Sequence, residues 1–167
     1  DGLYAEFLIS RTGRGEEALA AMGGAVFVGA ELIKALIRAS LGQTAEAREA
    51  LQGLVAEPRF EDESLYTFML VQLLETAILL RDRELCTVLA QRLAPVAHLS
   101  STLGAFTCPA RHLGGAAALL GEPEKARDYY RQALEAAGKI RFRPEIALTR
   151  LQLCELLLEH YPDERAE

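Results

Sequence analysis

Four groups of neighbouring carboxylates, Glu16-Glu17, Glu61-Asp62-Glu63, Asp82 with Glu84, and Glu122 with Glu124, are the side chains in this sequence whose type and spacing could serve general acid and base chemistry. Each group also falls where a helix is expected to start. A carboxylate there meets the positive end of the helix dipole, and that structural role takes precedence. Gly13-x-Gly15 is too short for a phosphate cradle and follows a helical pattern instead of a strand, and no Gly-x-x-x-x-Gly-Lys-Ser/Thr occurs. His98, His112 and His160 lie on three separate elements without ligands at three- or four-residue spacing on the same helix, as a helical metal site requires, and are read as surface or groove histidines. Cys86 and Cys154 are read as packing residues. Cys108, at a loop-to-helix junction before Pro109, is the thiol that could be exposed and reactive. Lys139, Arg141, Arg143 and Arg150 concentrate positive charge around one loop and could contact an anion or an acidic partner. The favoured reading has Lys139 facing the negative end of its own helix and the arginines bonded to local carbonyls and carboxylates. No catalytic residue, cofactor or metal is expected.

The elements that carry these residues repeat. Ala47, Cys86, Ala126 and Ala166 fall 39, 40 and 40 residues apart, and twelve residues before each lies Ala35, Leu74, Gly114 or Cys154. A fixed period of this length, carried by paired helical patterns, is the mark of stacked helix hairpins. The first pair is read over Leu3 to Arg11 and Glu16 to Met22, joined at Thr12-Gly13-Arg14-Gly15. The second runs from Val26 to Leu41 and Thr44 to Ala56, with Gly42 ending one helix in the left-handed conformation and Thr44 capping the next. The third uses Glu63 to Leu80 and Arg83 to Leu93, joined at Arg81-Asp82 with Asp82 as cap, and is followed by a loose stretch from Val96 to Pro109. The fourth spans Ala110 to Leu120 and Pro123 to Ala137, with Pro123 in the first helical turn and Gly138 after the last. A fifth helix is expected from Pro144 to His160, with Asp163 onward as the start of a partner helix. The fold class is therefore all-α, a right-handed superhelical solenoid of about four to five antiparallel hairpins (about 2–22, 26–56, 63–94, 110–137 and an incomplete 144–167), forming one domain over 1–167 that is read as a fragment of a longer protein.

Composition narrows the function classes. Half of the 167 residues are apolar, enough to bury a core, while 24 acidic against 18 basic residues give a formal charge of −6 that repels a phosphate backbone. Direct nucleic-acid contact by this segment is not expected. The most apolar run, Leu65 to Leu80, is 16 residues long and contains Gln72 and Glu75, short of the roughly 20 residues a bilayer requires, so no membrane contact is expected. Three widely separated cysteines without a C-x-x-C fit a reduced cytoplasmic setting better than a disulfide framework.

Leu113-Gly114, Gly121, Ala126, Tyr130 and Ala133 resemble the tetratricopeptide repeat (TPR), whose second helix carries an alanine followed four residues later by an aromatic. Small side chains at Gly114, Ala126 and Ala133 let helix axes approach to about 8–10 Å, and Tyr130 fills the wedge between hairpins. Ala110 and Ala117 stand where the first helix of such a repeat usually has aromatics, Gly138 stands for the closing proline, and the period is nearer 40 than 34. The run Arg141-Phe142-Arg143-Pro144-Glu145-Ile146-Ala147-Leu148-Thr149-Arg150-Leu151 also resembles the C-terminal helical-repeat region of large bacterial signalling ATPases, those joined to LuxR- or maltose-regulator-type transcriptional outputs or to class III adenylate or guanylate cyclases.

The first resemblance implies a concave groove lined by first helices, which places Phe68, Val71 and Glu75, then Cys108, Arg111 and Gly115, then Leu148, Leu151 and Glu155 toward a bound peptide or amphipathic helix. The second implies a non-enzymatic regulatory module that docks a protein segment, including other domains of the same polypeptide. The alternative is a sensor in which Arg111 and the basic loop, Arg141, Arg143 and Arg150, hold an anionic effector, and an enzyme is the remote third reading. Incomplete cover over Leu153, Leu156 and Leu157 predicts self-association, as a homodimer through the terminal repeat.

Overall fold

The computed structural model describes residues 12–25, 27–60, 67–100 and 107–164. These fold into eight α-helices: α1 (Gly15–Ala21), α2 (Val28–Ser40), α3 (Thr44–Val55), α4 (Thr67–Leu79), α5 (Arg83–Leu93), α6 (Pro109–Leu120), α7 (Pro123–Lys139) and α8 (Arg143–His160), with single 3-10 turns at Pro58–Phe60, Ala94–Val96 and Pro162–Glu164. No β-strand occurs among the described residues. The chain divides into two compact units, 1–82 and 83–167. The expected helix over Leu3 to Arg11, the start of the expected third pair at Glu63 and the acidic group at 61–63 lie outside the described residues, as do Val26 and Ala166.

The bends are built from one device. The N–H of Gln43, Asp82 and Glu122 bonds back to the carbonyl of Arg38, Ala77 and Ala117. The residue before each, Gly42, Arg81 and Gly121, has a positive φ of 78°, 55° and 81°. This is the six-to-one closure that ends a helix with a left-handed residue, and its positions repeat at 39 and 40 residues. Phe142 N–H to Ala137 O, with Arg141 at φ 54°, makes a fourth copy after α7. The helix thus runs two residues past the expected Ala137 end, with Gly138 inside its last turn and Arg141 in the left-handed seat. Thr44 is likewise the first helical residue of α3, not its cap; Gln43 holds the cap position without a side-chain bond.

In the first unit α2 packs against α1, α3 and α4. Ala18, Met22, Ala30, Ile33 and Ile37 form a continuous core, sealed at its edge by Leu41. A Cβ on Gly15 would come within 2.9 Å of the Leu41 side chain, so Gly15 serves packing and not phosphate binding. Lys34 is buried in this unit and satisfied by the Ala25 carbonyl and the Glu31 carboxylate.

In the second unit α6 packs against α5 and α7, and α8 packs against α7. Ala110, Ala126, Ala133 and Ala137 are fully buried, the small surface a close α6–α7 approach demands. Tyr130 packs against Gly114, where a Cβ would stand 2.6 Å from the ring. It also contacts Leu156 of α8, so the wedge role anticipated for Tyr130 extends to the following helix. Arg83, the first residue of α5, donates to the carbonyls of Leu119 and Leu120, covering acceptors that the end of α6 leaves open.

Candidate functional site

Two features of the second unit bring chemistry-bearing side chains together: a buried polar cluster at the start of α6 and a cleft over its other end. Pro109 is the first residue of α6 and Pro144 the second of α8, each at a position where a missing N–H costs nothing. The first turns of these helices carry Arg111 and Glu145. Arg111 Nε donates to Glu145 Oε1 at 2.9 Å, with the two side chains 5% and 2% exposed. Thr107 Oγ1 at 2.7 Å and the Cys108 N–H at 2.9 Å donate to the same oxygen. His112 Nε2 stands 2.7 Å from Thr107 Oγ1 and 3.0 Å from Arg111 Nη2.

Burial alone would push the Glu145 carboxyl up, but Arg111, His112, the Cys108 N–H and the Thr107 hydroxyl together hold it below the ordinary carboxylate value. The same burial, joined by Glu145, pushes the Cys108 thiol up to about 11 against the opposing influence of Arg111. Each polar group faces a protein partner, so the cluster is a structural joint between α6, α8 and the segment entering α6.

This arrangement revises several sequence expectations. Arg111 is not a groove residue open to an anion; its charge is spent on Glu145. His112 is buried at 2% exposure and belongs to the cluster, whereas His98 and His160 are exposed. Cys108 is buried and resists ionisation, so it is not the reactive thiol; Cys154, read as a packing residue, is the exposed one. Val71 is buried at 1%, while Phe68, Glu75 and Gly115 are half-buried and Leu148, Leu151 and Glu155 are exposed. Leu156 is buried by Tyr130 and Ala126, so of the three leucines expected to lack cover only Leu153 and Leu157 remain half-open.

Lys139 pairs with Glu135 at 2.8 Å inside the last turn of α7, and Arg141, Arg143 and Arg150 are exposed. The acidic groups are dispersed among local partners: Glu17 with Arg14, Asp82 with Arg48, Glu122 with Lys125, and Glu124 with the Tyr161 hydroxyl. No three His, Cys, Asp or Glu side chains among the described residues are grouped so as to hold a metal ion.

The cleft encloses about 340 Å³ between α5 and α7, with α6 as its floor. Its lining is mixed: Ala90, Ala94, Leu113, Ala117 and Leu120 supply apolar surface, and Thr87, Gln91, Glu122, Lys125 and Tyr129 supply polar groups. α5 and α7 are second helices of their hairpins, so the cleft opens on the opposite side of α6 from the groove expected from sequence. Small residues on α5, the turn after it and α6 were the available signal: Ala90, Ala94 and Ala117 leave room that larger side chains would fill.

No protein-family model matches the chain, and no curated protein matches it by sequence. Among solved structures, MamA MSR-1 C2 is similar to it, with a TM-score of 0.52 and 18% identity over 98% of this chain and 95% of that one. At this identity the likeness is one of fold: an all-α, TPR-like array of antiparallel helix hairpins. No helix among the described residues is long and apolar enough to cross a membrane.

Proposed function

We propose that this chain is a non-enzymatic protein-binding module of the TPR-like class, and that the cleft over α6 seats one apolar side chain of an extended or helical peptide. The observation that carries the reading is the cleft itself, in which small and leucine side chains stand beside polar groups that could orient a bound chain. Gln91 and Tyr129 supply polar groups for the peptide backbone, and the Glu122–Lys125 pair can reorganise around a charged neighbour of the anchor residue. The polar joint at Glu145 ties α6, the floor of the cleft, to α8 and contributes no lining residue.

The wider setting is part of the same proposal. The likeness of Arg141 to Leu151 to the repeat region of bacterial signalling ATPases supports a regulatory role in the cytoplasm, the bound peptide being a partner protein or another domain of the same polypeptide. The anionic-effector reading loses its central residue, because Arg111 faces Glu145.

Selection from a displayed random-peptide library tests the proposal directly. Enriched peptides should share one large apolar residue, and Ala90→Trp, which fills the cleft from a half-buried position, should abolish binding while helicity is retained. Peptides that bind the Ala90→Trp protein as well as the parent, or a library that yields no specific binder, would remove the cleft as the recognition site.

A further inference from the structure

α8 presents two different sides. Glu145, Thr149 and Leu156 are its buried residues and face the rest of the second unit. Ala147, Leu151, Cys154 and Leu158 fall on the opposite side and are all exposed, Leu151 at 56% and Leu158 at 55%. Their spacings of four, three and four are those of the seam between two coiled helices, and Leu148, 40% exposed, widens the band.

The charges beside this seam are ordered. At about 100° per residue, Arg143 and Arg150 lie along one edge of the band, and Glu155 and Glu159 lie along the other. All four are exposed, and neither Arg150 nor Glu155 forms an ion pair among the described residues. One edge is therefore basic and the other acidic.

That order selects the orientation of a partner helix of the same sequence. In a parallel, in-register pair, the basic edge of one helix runs beside the acidic edge of the other, and Arg150 reaches the Glu155 five residues further along its neighbour on both sides of the seam. In an antiparallel pair each edge meets its own kind. The parallel register also stacks Leu151 on Leu151, Cys154 on Cys154 and Leu158 on Leu158.

We propose that α8 is a self-association surface, on which a second copy of this chain docks in parallel and in register around Ala147, Leu151, Cys154 and Leu158, with reciprocal Arg150–Glu155 ion pairs. This goes beyond the peptide cleft, which uses α5, α6 and α7, and either can fail without the other. A seam of less than two heptads, Ala147 to Leu158, buries less than the roughly 1,600 Å² of a standard interface, so the dimer should be a weak one, with a dissociation constant of roughly micromolar order.

Sedimentation velocity on the full chain over a range of concentrations tests this, with circular dichroism confirming that each variant is folded. The parent protein should dimerise reversibly; Leu151→Glu should leave it monomeric. Arg150→Glu should weaken the dimer by about tenfold or more, and Glu155→Arg added to it should restore the parent affinity, since reversed edges still match in parallel. A short bismaleimide should link two chains through Cys154, the exposed thiol, in the parent and not in Leu151→Glu. A monomer at every concentration, a dimer indifferent to Leu151→Glu, or a double charge reversal that fails to rescue Arg150→Glu would each overturn the proposal.

Discussion

Arg111 and Glu145, 34 residues apart in sequence, meet at 2.9 Å with both side chains almost wholly removed from water. Such a pair contributes little net stability compared with two apolar residues, but losing one partner strands a buried charge. Glu145→Ala and Arg111→Ala should therefore each destabilise the second unit by about 3–5 kcal/mol. The combination Arg111→Leu with Glu145→Leu should cost less than the two single changes added together, a coupling that chemical denaturation of the four proteins would measure.

Acid should weaken the same joint. Glu145 titrates in the fold below its ordinary value of 4.5, so in that interval the unfolded chain binds the extra proton and stability rises with pH. The stabilisation from this group is complete above about 4.5 and is lost as pH falls through the lower folded value. Denaturation midpoints measured from neutral to acid pH should show this loss in the parent protein and a flatter profile in Glu145→Gln.

Gly114 and Gly53 should respond in opposite ways to the same substitution. Alanine at Gly114 would drive its Cβ to 2.6 Å from the buried Tyr130 ring, an overlap costing about 1–3 kcal/mol and outweighing a gain in helix propensity of about 1 kcal/mol at most. Gly53 lies exposed within α3 with nothing within 4 Å of a built Cβ, so Gly53→Ala should stabilise by about 0.5–1 kcal/mol. Thermal and denaturant midpoints of the two variants decide both statements.

The three thiols should separate cleanly by rate. Cys108, pushed up to about 11, is thiolate to roughly one part in a thousand at pH 8, and Cys86 is fully buried. A thiol reagent should find one fast site in the native protein, lost in Cys154→Ser, and the other two only after unfolding.

The repeat was legible because close helix approach leaves few choices of residue. Ala47, Cys86 and Ala126, the beat read from the sequence, are each 0% exposed. The bends five residues before them share one hydrogen-bonding pattern even though Arg81 replaces glycine at the middle one. The beat fails at Cys154, which occupies the position of Ala35, Leu74 and Gly114 on a helix with no neighbour covering that side among the described residues. The site was much less legible. Arg111 and Glu145 look like surface charges in isolation, and only their meeting across two helices makes burial tolerable. The cleft escaped for a related reason: its lining includes the small residues Ala90, Ala94 and Ala117, whose significance is the space beside them.

Three donors, from Thr107, Cys108 and Arg111, converge on the single oxygen Oε1 of Glu145. A latch of this kind has no half-closed version. Shortening the acid by one carbon withdraws the common acceptor from all three at once, so the length of the acid is matched to the Thr107 and Arg111 side chains, while the Cys108 donor is a backbone N–H that does not depend on the side chain at 108.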